Sequence, residues 1–339
     1  MIEVVVDAFG GDYSPEEILL GSLNALKLNK EFALVLTGDE NKLKTLISGY
    51  EYDSARVRLV HAPEIISNNE APTTAIRTKR ESSIVKAFDE LRTNDNVVGL
   101  VSAGSTGAVL TGAFLKLGRI KGVSRPATCP ILPTQTGGKV ALMDSGANVD
   151  CKPINLVHFA IMASAYMKEV YGIENPRVGL LSVGTEDHKG NELTTQVFQI
   201  LKTLPNMNFV GNMEARDLLS GNYDVVVCDG FNGNVLLKST EGAIKFVLKN
   251  IKQSIKQRFL SKLGALFMKK TFSELKQNLD YSKYGGAVML GCKKVVVKCH
   301  GDSKADSITN AIMQVVDAHN AKLCEIIDNN ISQFGEINE

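Results

Sequence analysis

The chain has 339 residues, 44% hydrophobic and 22% charged, and its 38 Lys and Arg against 37 Asp and Glu leave a formal net charge of +1. That composition excludes intrinsic disorder, which needs low hydrophobicity and strong net charge, and 29 Gly without a triplet period exclude a collagen. Six Cys with no Cys-x-x-Cys pair, no apolar run near the ~18 residues of a membrane span, and a start without a basic n-region or cleavage site lead us to expect a soluble cytoplasmic enzyme.

In chain order, short β-branched runs alternate with amphipathic stretches. Glu3–Val6 reads as a strand, Pro15–Lys27 as a helix, and Ala33–Leu36 and Val57–Val60 as strands. The strand Val97–Ser102 leads through a Gly-rich turn into a helix over Thr106–Leu117. Val140–Met143 precedes a helix over Pro153–Tyr171, where Pro153 suits the first turn and Gly172 a C-terminal cap. The strand Val178–Ser182, the helix Glu192–Leu204 and the strands Val225–Cys228 and Val295–Lys298 complete the series. Several strands are apolar throughout, as strands covered on both faces are. The alternation predicts an α/β fold with a doubly wound, largely parallel sheet. No low-complexity linker interrupts it, so residues 1–339 are expected to form one compact unit of two closely packed lobes.

In such sheets ligands collect beyond the carboxyl ends of the strands. There the sequence concentrates Gly, Asn and Asp, in the loops 7–12, 102–108, 144–150, 184–192 and 229–234. Gly104-Ser-Thr-Gly107, between a strand and a helix, can converge backbone N–H groups on an anion; the alternative is a tight turn in which Ser105 or Thr106 caps the helix. Neither a P-loop nor a Gly-x-Gly-x-x-Gly fingerprint is present. Lys189, just ahead of a helix, can approach phosphate or a developing oxyanion, or be a solvated surface lysine. Asn234 can donate to an oxyanion or cap a helix beginning at Val235. His158 falls within an apolar helix and reads as a core residue, whereas His300 ends a strand and is a candidate for touching phosphate or substrate. Asp302 and Asp306, four apart, suit one helical face, as a divalent-cation site or an acidic first turn. No zinc spacing occurs, so neither metal nor cofactor is expected. Cys151 follows a Gly-rich loop but is expected to be a packing residue.

The balanced total charge conceals an asymmetry. Between Lys238 and Lys283, ten Lys and one Arg face only Glu241, Glu274 and Asp280, an excess of eight positive charges. Within that segment Phe259, Leu260, Leu263, Leu266 and Phe267 share one helical arc beside Arg258, Lys262 and Lys269. Large apolar side chains next to cations describe an interfacial membrane helix or a partner-binding surface; an ordinary core-facing helix is the alternative. The cation density favours an anionic partner, and the scarcity of interleaved aromatics argues against nucleic acid.

Read together, the motifs DAFGGD (7–12), SAGSTGA (102–108), DSGANVDCKP (144–153), KGNE (189–192), NMEARD (212–217), DGFNGNVLLK (229–238), YGGAVMLG (284–291) and KCHG (298–301) resemble the bacterial phosphate acyltransferase family of phospholipid synthesis, acyl-acyl carrier protein:phosphate acyltransferase or PlsX. Phe9 stands where that family usually has Met, Ser105 where Asn is common, and Ala215 where Gly is usual. The resemblance implies an isocitrate-dehydrogenase-like fold, a homodimer, and transfer of a long-chain acyl group from acyl carrier protein to inorganic phosphate. It implies Lys189 and Asn234 as catalytic residues, and Gly10, Gly11, Asp12, Gly104, Ser105, Thr106, Gly107, Asn148, Asn191, Gly233 and His300 as the substrate-binding set. The expected partners are acyl carrier protein, phosphate, the membrane surface and a membrane glycerol-phosphate acyltransferase, with no nucleic acid. Peripheral membrane association of a cytoplasmic protein follows. Rival readings are a phosphotransacetylase-like enzyme using acyl-CoA, a metal- and NAD-dependent hydroxyacid dehydrogenase of the same fold using Asp302 and Asp306, and a non-catalytic carrier- or lipid-binding protein.

Overall fold

Twelve short strands, β1 (Ile2–Asp7), β2 (Phe32–Gly38), β3 (Val57–His61), β4 (Val97–Ser102), β5 (Ala127–Cys129), β6 (Ile131–Pro133), β7 (Lys139–Met143), β8 (Val178–Ser182), β9 (Phe209–Glu214), β10 (Val225–Val227), β11 (Ala287–Leu290) and β12 (Val295–Lys298), build two sheets in the computed structural model, which describes residues 1–278 and 284–337. The first runs β3-β2-β1-β4-β12-β11-β5 and the second β6-β7-β10-β8-β9. Pairing is parallel except where β11 meets β12 and β5, and where β6 meets β7. The chain is thus an α/β protein with doubly wound, largely parallel sheets.

Around the sheets lie α1 (Glu16–Leu28), α2 (Glu40–Ile47), α3 (Pro72–Thr78), α4 (Ser83–Thr93), α5 (Thr106–Gly112), α6 (Pro153–Glu169), α7 (Glu192–Thr203), α8 (Gly230–Gln257), α9 (Phe259–Phe267), α10 (Lys269–Asn278), α11 (Ala305–Asn320) and α12 (Leu323–Ile337). Helices cover the strands on both faces, which is why Val4, Val5 and Val6 of β1 and Val225, Val226 and Val227 of β10 are all fully buried. Helix α6 packs against β7, β10, α7 and α12, and its Leu156, Phe159, Met162 and Tyr166 are wholly buried. Each such side chain contributes about 1.5–3 kcal/mol of transfer free energy. Apolar residues of both sheets, Val6 and Val101 among them on one side and Met143 and Leu180 on the other, belong to one continuous core.

Four strands escape the sequence pattern. β5 and β6, Ala-Thr-Cys and Ile-Leu-Pro, lack the run of β-branched residues that marks the equally short β10, and Pro133 ends β6 at the sheet edge, where a missing N–H costs no ladder bond. β9 and β11 were likewise not expected. The expected helix over Thr106–Leu117 is α-helical only to Gly112 and continues as a π-helical turn over Ala113–Leu117. The basic segment is helical through α8, α9 and α10; its Asp280 and Lys283 lie outside the described residues. None of the residues of α9 is buried, which rules out the core-facing alternative for it: Phe259, Leu260 and Phe267 are 79%, 80% and 85% exposed.

Candidate functional site

The carboxyl ends of β1, β4 and β12 lie side by side, with Val6 paired to Val101 and Lys298 paired to Ser102. The loops that follow bring Gly10, Gly11, Asp12, Gly104 and His300 into one neighbourhood. The Ser102 hydroxyl donates to Asp7 Oδ2 at 2.7 Å and accepts the Gly104 N–H at 3.0 Å, tying the two Gly-rich turns together. A Cβ at Gly10 would stand 2.5 Å from Asp7 Oδ2 and 2.7 Å from the Gly104 nitrogen, so the loops approach this closely only because Gly lacks that atom. The Asp12 N–H donates to the Gly301 carbonyl at 2.8 Å. Ser105 is the N-cap of α5, yet its side chain makes no capping bond, which leaves the N–H groups of Thr106 and Gly107 without that partner. His300 is exposed and its Nδ1 sits 2.5 Å from Asp302 Oδ1.

Two charged groups beneath this nest received no role from the sequence. Asp7 is buried, and burial raises its carboxyl above the ordinary range against the hydroxyls of Ser83 and Ser102. Its Oδ1 has no hydrogen-bond partner, although Ser83 faces the carboxyl. Lys298, half-buried at the end of β12, donates from Nζ to the Cys299 carbonyl. Burial pushes its ammonium below the usual lysine range, Asp7 and Asp12 pull the other way, and Lys238 adds to the depression. A lysine ending the otherwise apolar Val-Val-Val-Lys run was the signal that could have found it.

The second group of loops belongs to β7 and β10. Asp144 is fully buried and its carboxylate accepts six bonds of 2.7–3.1 Å, from Thr128 N and Oγ1, Gly146 N, Ala147 N, and Asn148 N and Nδ2. Asn148 also donates from Nδ2 to the Pro126 carbonyl at 2.9 Å, so its amide nitrogen frames the loop. Its carbonyl receives the Gly230 N–H at 2.8 Å, docking the start of α8. Gly233 sits so close that a Cβ there would lie 1.8 Å from the Asp144 carbonyl oxygen. The expectation that Asn234 caps a helix beginning at Val235 is corrected: α8 begins at Gly230, and Asp229 caps it by accepting the Asn232 N–H at 2.8 Å. Asn234 is therefore one turn inside the helix, exposed beside Gly146, and among the described residues its amide has no hydrogen-bond partner.

Lys189 and Asn191 come from the loop after β8, the parallel neighbour of β10, so their loop and that of Asn234 leave adjacent strands at the same edge. The loop is folded over Asn212, which donates to the Glu186 carbonyl at 2.8 Å, while Ser182 Oγ donates to the Lys189 carbonyl at 3.2 Å. Lys189 is exposed and, among the described residues, its ammonium has no ion-pair partner. Asn191 is the N-cap of α7, its Oδ1 accepting the Thr194 N–H at 2.9 Å.

The remaining candidates resolve locally. His158 is buried, its Nδ1 accepts the Ser124 N–H at 3.0 Å, and burial lowers its pKa to about 4, as suits a core residue. Burial likewise pushes the Cys151 thiol up to about 11, away from nucleophilic reactivity. Asp302 and Asp306 do not share a helical face, because α11 begins only at Ala305; Asp306 is an acidic residue of its first turn.

A family model described as "Fatty acid synthesis protein" matches residues 2–326. Proteins named phosphate acyltransferase are 42% identical over 332 residues in Clostridium novyi, covering 98% of this chain and 99% of that one, and 46% identical over 313 residues in Caldanaerobacter subterraneus, covering 92% of each. The chain belongs to the phosphate acyltransferase family. Among solved structures, a phosphotransacetylase from Streptococcus pyogenes superposes with a TM-score of 0.61 at 14% identity over 96% of this chain and 94% of that one. A 4-hydroxythreonine-4-phosphate dehydrogenase from Klebsiella pneumoniae reaches 0.50 at 14% identity, over 94% and 99%. Those likenesses establish the shared α/β fold. Family membership makes the chain an enzyme that transfers an acyl group to phosphate, so phosphate and an acyl donor are its substrates.

Proposed function

We propose that the protein moves a long-chain acyl group from acyl-acyl carrier protein to inorganic phosphate, supplying acyl phosphate for phospholipid synthesis. Phosphate is cradled where the Gly10–Gly11 turn meets the Gly104–Gly107 loop, by backbone N–H groups after Gly104, whose own N–H is held by Ser102 Oγ, with Asp12, Asn148, Asn191, Gly233 and His300 completing the walls. A phosphate oxygen attacks the thioester carbonyl carbon; the new C–O bond forms, the C–S bond breaks, and the pantetheine thiolate leaves and takes a proton from water. Lys189 and Asn234 position the phosphate and hold the developing oxyanion through charge and amide donation. A thiol of pKa about 8.5 is a good leaving group, so no general acid and no acyl-enzyme are needed.

The observation that carries this reading is that, among the described residues, the Lys189 ammonium has no ion-pair partner and the Asn234 amide no hydrogen-bond partner, while the Lys189 loop and the first turn of α8 that holds Asn234 follow adjacent parallel strands. Donors aimed at developing charge have no other work in the resting protein. The exposed arc Phe259, Leu260, Leu263, Leu266 and Phe267, ringed by Lys and Arg, supports docking at an anionic bilayer surface, where the product passes to a membrane glycerol-phosphate acyltransferase. No described helix is long and apolar enough to cross a membrane. The protein acts as a homodimer in this reading, with 238–283 as the membrane- or partner-facing tip.

The test is detection of acyl phosphate from palmitoyl-carrier protein and phosphate, with palmitoyl-CoA as a parallel donor. Carrier-dependent formation is expected; a preference for the CoA thioester would favour phosphotransacetylase-like chemistry, and no phosphate-dependent thiol release would refute the reading.

A further inference from the structure

Lys298 lies at a junction that none of the assigned residues occupies. It ends β12, a strand enclosed between β4 and β11, and its backbone is in register with Ser102, the residue whose hydroxyl ties Asp7 to the Gly104 N–H. Neighbouring strands lie about 4.8 Å apart, so Lys298 stands one strand over from the floor of the nest. The loop that follows it contributes the Gly301 carbonyl that receives the Asp12 N–H, which places the same segment against the other Gly-rich turn. Lys238 of α8, whose positive charge adds to the depression of Lys298, is itself paired with Glu241 at 2.9 Å.

Among the described residues no carboxylate lies within 4.0 Å of Lys298 Nζ, and its hydrogen-bond acceptor is the carbonyl of Cys299, the next residue. Asp7 directs Oδ2 to Ser102 instead. A half-buried ammonium without a paired carboxylate is costly, and the fold retains it next to two Gly-rich turns whose backbone can approach an anion closely. Both features suit a dianion as the missing partner. Burial also lowers the ammonium's pKa, and the opposing pull of Asp7 and Asp12 does not offset it.

We propose that Lys298 binds the inorganic phosphate substrate directly, through a charge-assisted hydrogen bond from Nζ to a phosphate oxygen seated over the junction of the Gly10 and Gly104 turns. This inference rests on the acyl-transfer reading above, and divides the labour within it: Lys298 and the nest hold the nucleophile, leaving Lys189 and Asn234 for the acyl carbonyl.

Two measurements separate this inference from the reading beneath it. Equilibrium dialysis of radiolabelled inorganic phosphate against the full chain, without acyl donor, compares wild type with Lys298→Met, Lys298→Gln and Lys298→Arg. Loss of a charge-assisted bond weakens binding by roughly ten- to a hundredfold in the Met and Gln variants, with partial recovery in Arg. Acyl phosphate assays run alongside expect the same increase in the phosphate KM with a smaller change in kcat. Circular dichroism selects the variants that fold, and Lys298→Gln, which keeps length and a polar end, serves if Met does not. Unchanged phosphate affinity in a folded, uncharged variant would overturn the role of Lys298 even if wild type turns over. A wild type that binds phosphate through Lys298 but makes no acyl phosphate would refute the acyl-transfer reading and leave the binding role standing.

Discussion

Replacing Gly233 with Ala tests whether the docking of α8 on the Asp144 loop sets the position of Asn234. The added Cβ would stand 1.8 Å from the Asp144 carbonyl oxygen and 2.7 Å from Cys228 Sγ, and the carbonyl is backbone, not the end of a flexible side chain. Reaching even 3.0 Å requires helix and loop to part by about 1.2 Å, in a region as closely packed as a crystal. Overpacking of this kind costs about 1–3 kcal/mol of stability. Asn234 is the next residue, so its amide moves with the helix, and a 1 Å misplacement near reacting groups costs on the order of 100-fold in rate. Gly242 lies on the same helix with nothing within 4 Å of a Cβ, so Gly242→Ala is the control, expected to be neutral or to stabilise by about 0.5–1 kcal/mol. Thermal melting and phosphate-dependent thiol release, measured on both variants, decide the matter. A Gly233→Ala protein with wild-type kcat and melting temperature would refute the reasoning.

Other consequences can be measured independently. Asp144→Asn places an amide donor among six donors and is expected to cost about 3–5 kcal/mol, read by denaturant unfolding; a loss under 1 kcal/mol would show that the carboxylate is not the organising group. His158 has a folded pKa of about 4, below its ordinary 6.5, so the unfolded chain binds the proton first and stability present above pH 6.5 declines as pH falls to about 4. After discounting for solvent screening that loss is roughly 1–2 kcal/mol, and it should flatten in His158→Gln when melting temperature is followed against pH. Cys151→Ser is expected to retain most activity, and mass spectrometry during turnover should find no acyl adduct on residue 151, since burial holds that thiol near pKa 11. The pair Leu263→Glu and Phe267→Glu should abolish flotation with anionic liposomes while leaving turnover on soluble donor intact; unchanged flotation would reject the membrane role of α9.

The sequence made the fold legible wherever residues repeated a period long enough to count. The valine runs of β1, β4 and β12 and the amphipathic helices α1, α6 and α7 are where their patterns place them, within a few residues at the ends. The short strands β5 and β6 lack the valine run that makes the equally short β10 legible, and the sheet defines them only through their partners. The Gly-rich loops were readable as a class, because small residues after apolar runs mark strand ends. Which of them meet was not: the contact of Gly10 with Gly104 depends on β1 and β4 being neighbours although the end of β1 at Asp7 and the start of β4 at Val97 are 90 residues apart in the chain, and nothing local encodes that order. Of the two roles open to Asn234, capping falls away because Asp229 takes that place one turn earlier, a choice between neighbouring Asp and Asn residues that the residue types alone do not make. The Val-Val-Val-Lys ending of β12 marks Lys298 in the sequence, but that no carboxylate lies within ion-pair reach of it among the described residues is a three-dimensional property.

The most direct test of the central claim is the rate of acyl phosphate formation from palmitoyl-carrier protein and inorganic phosphate by wild type, Lys189→Ala and Asn234→Ala. Removal of one oxyanion donor is expected to lower kcat by about 10²–10³-fold in each variant, with the fold retained by circular dichroism. Wild-type kcat in either folded variant would contradict the assignment of phosphate positioning and oxyanion stabilisation to these two residues.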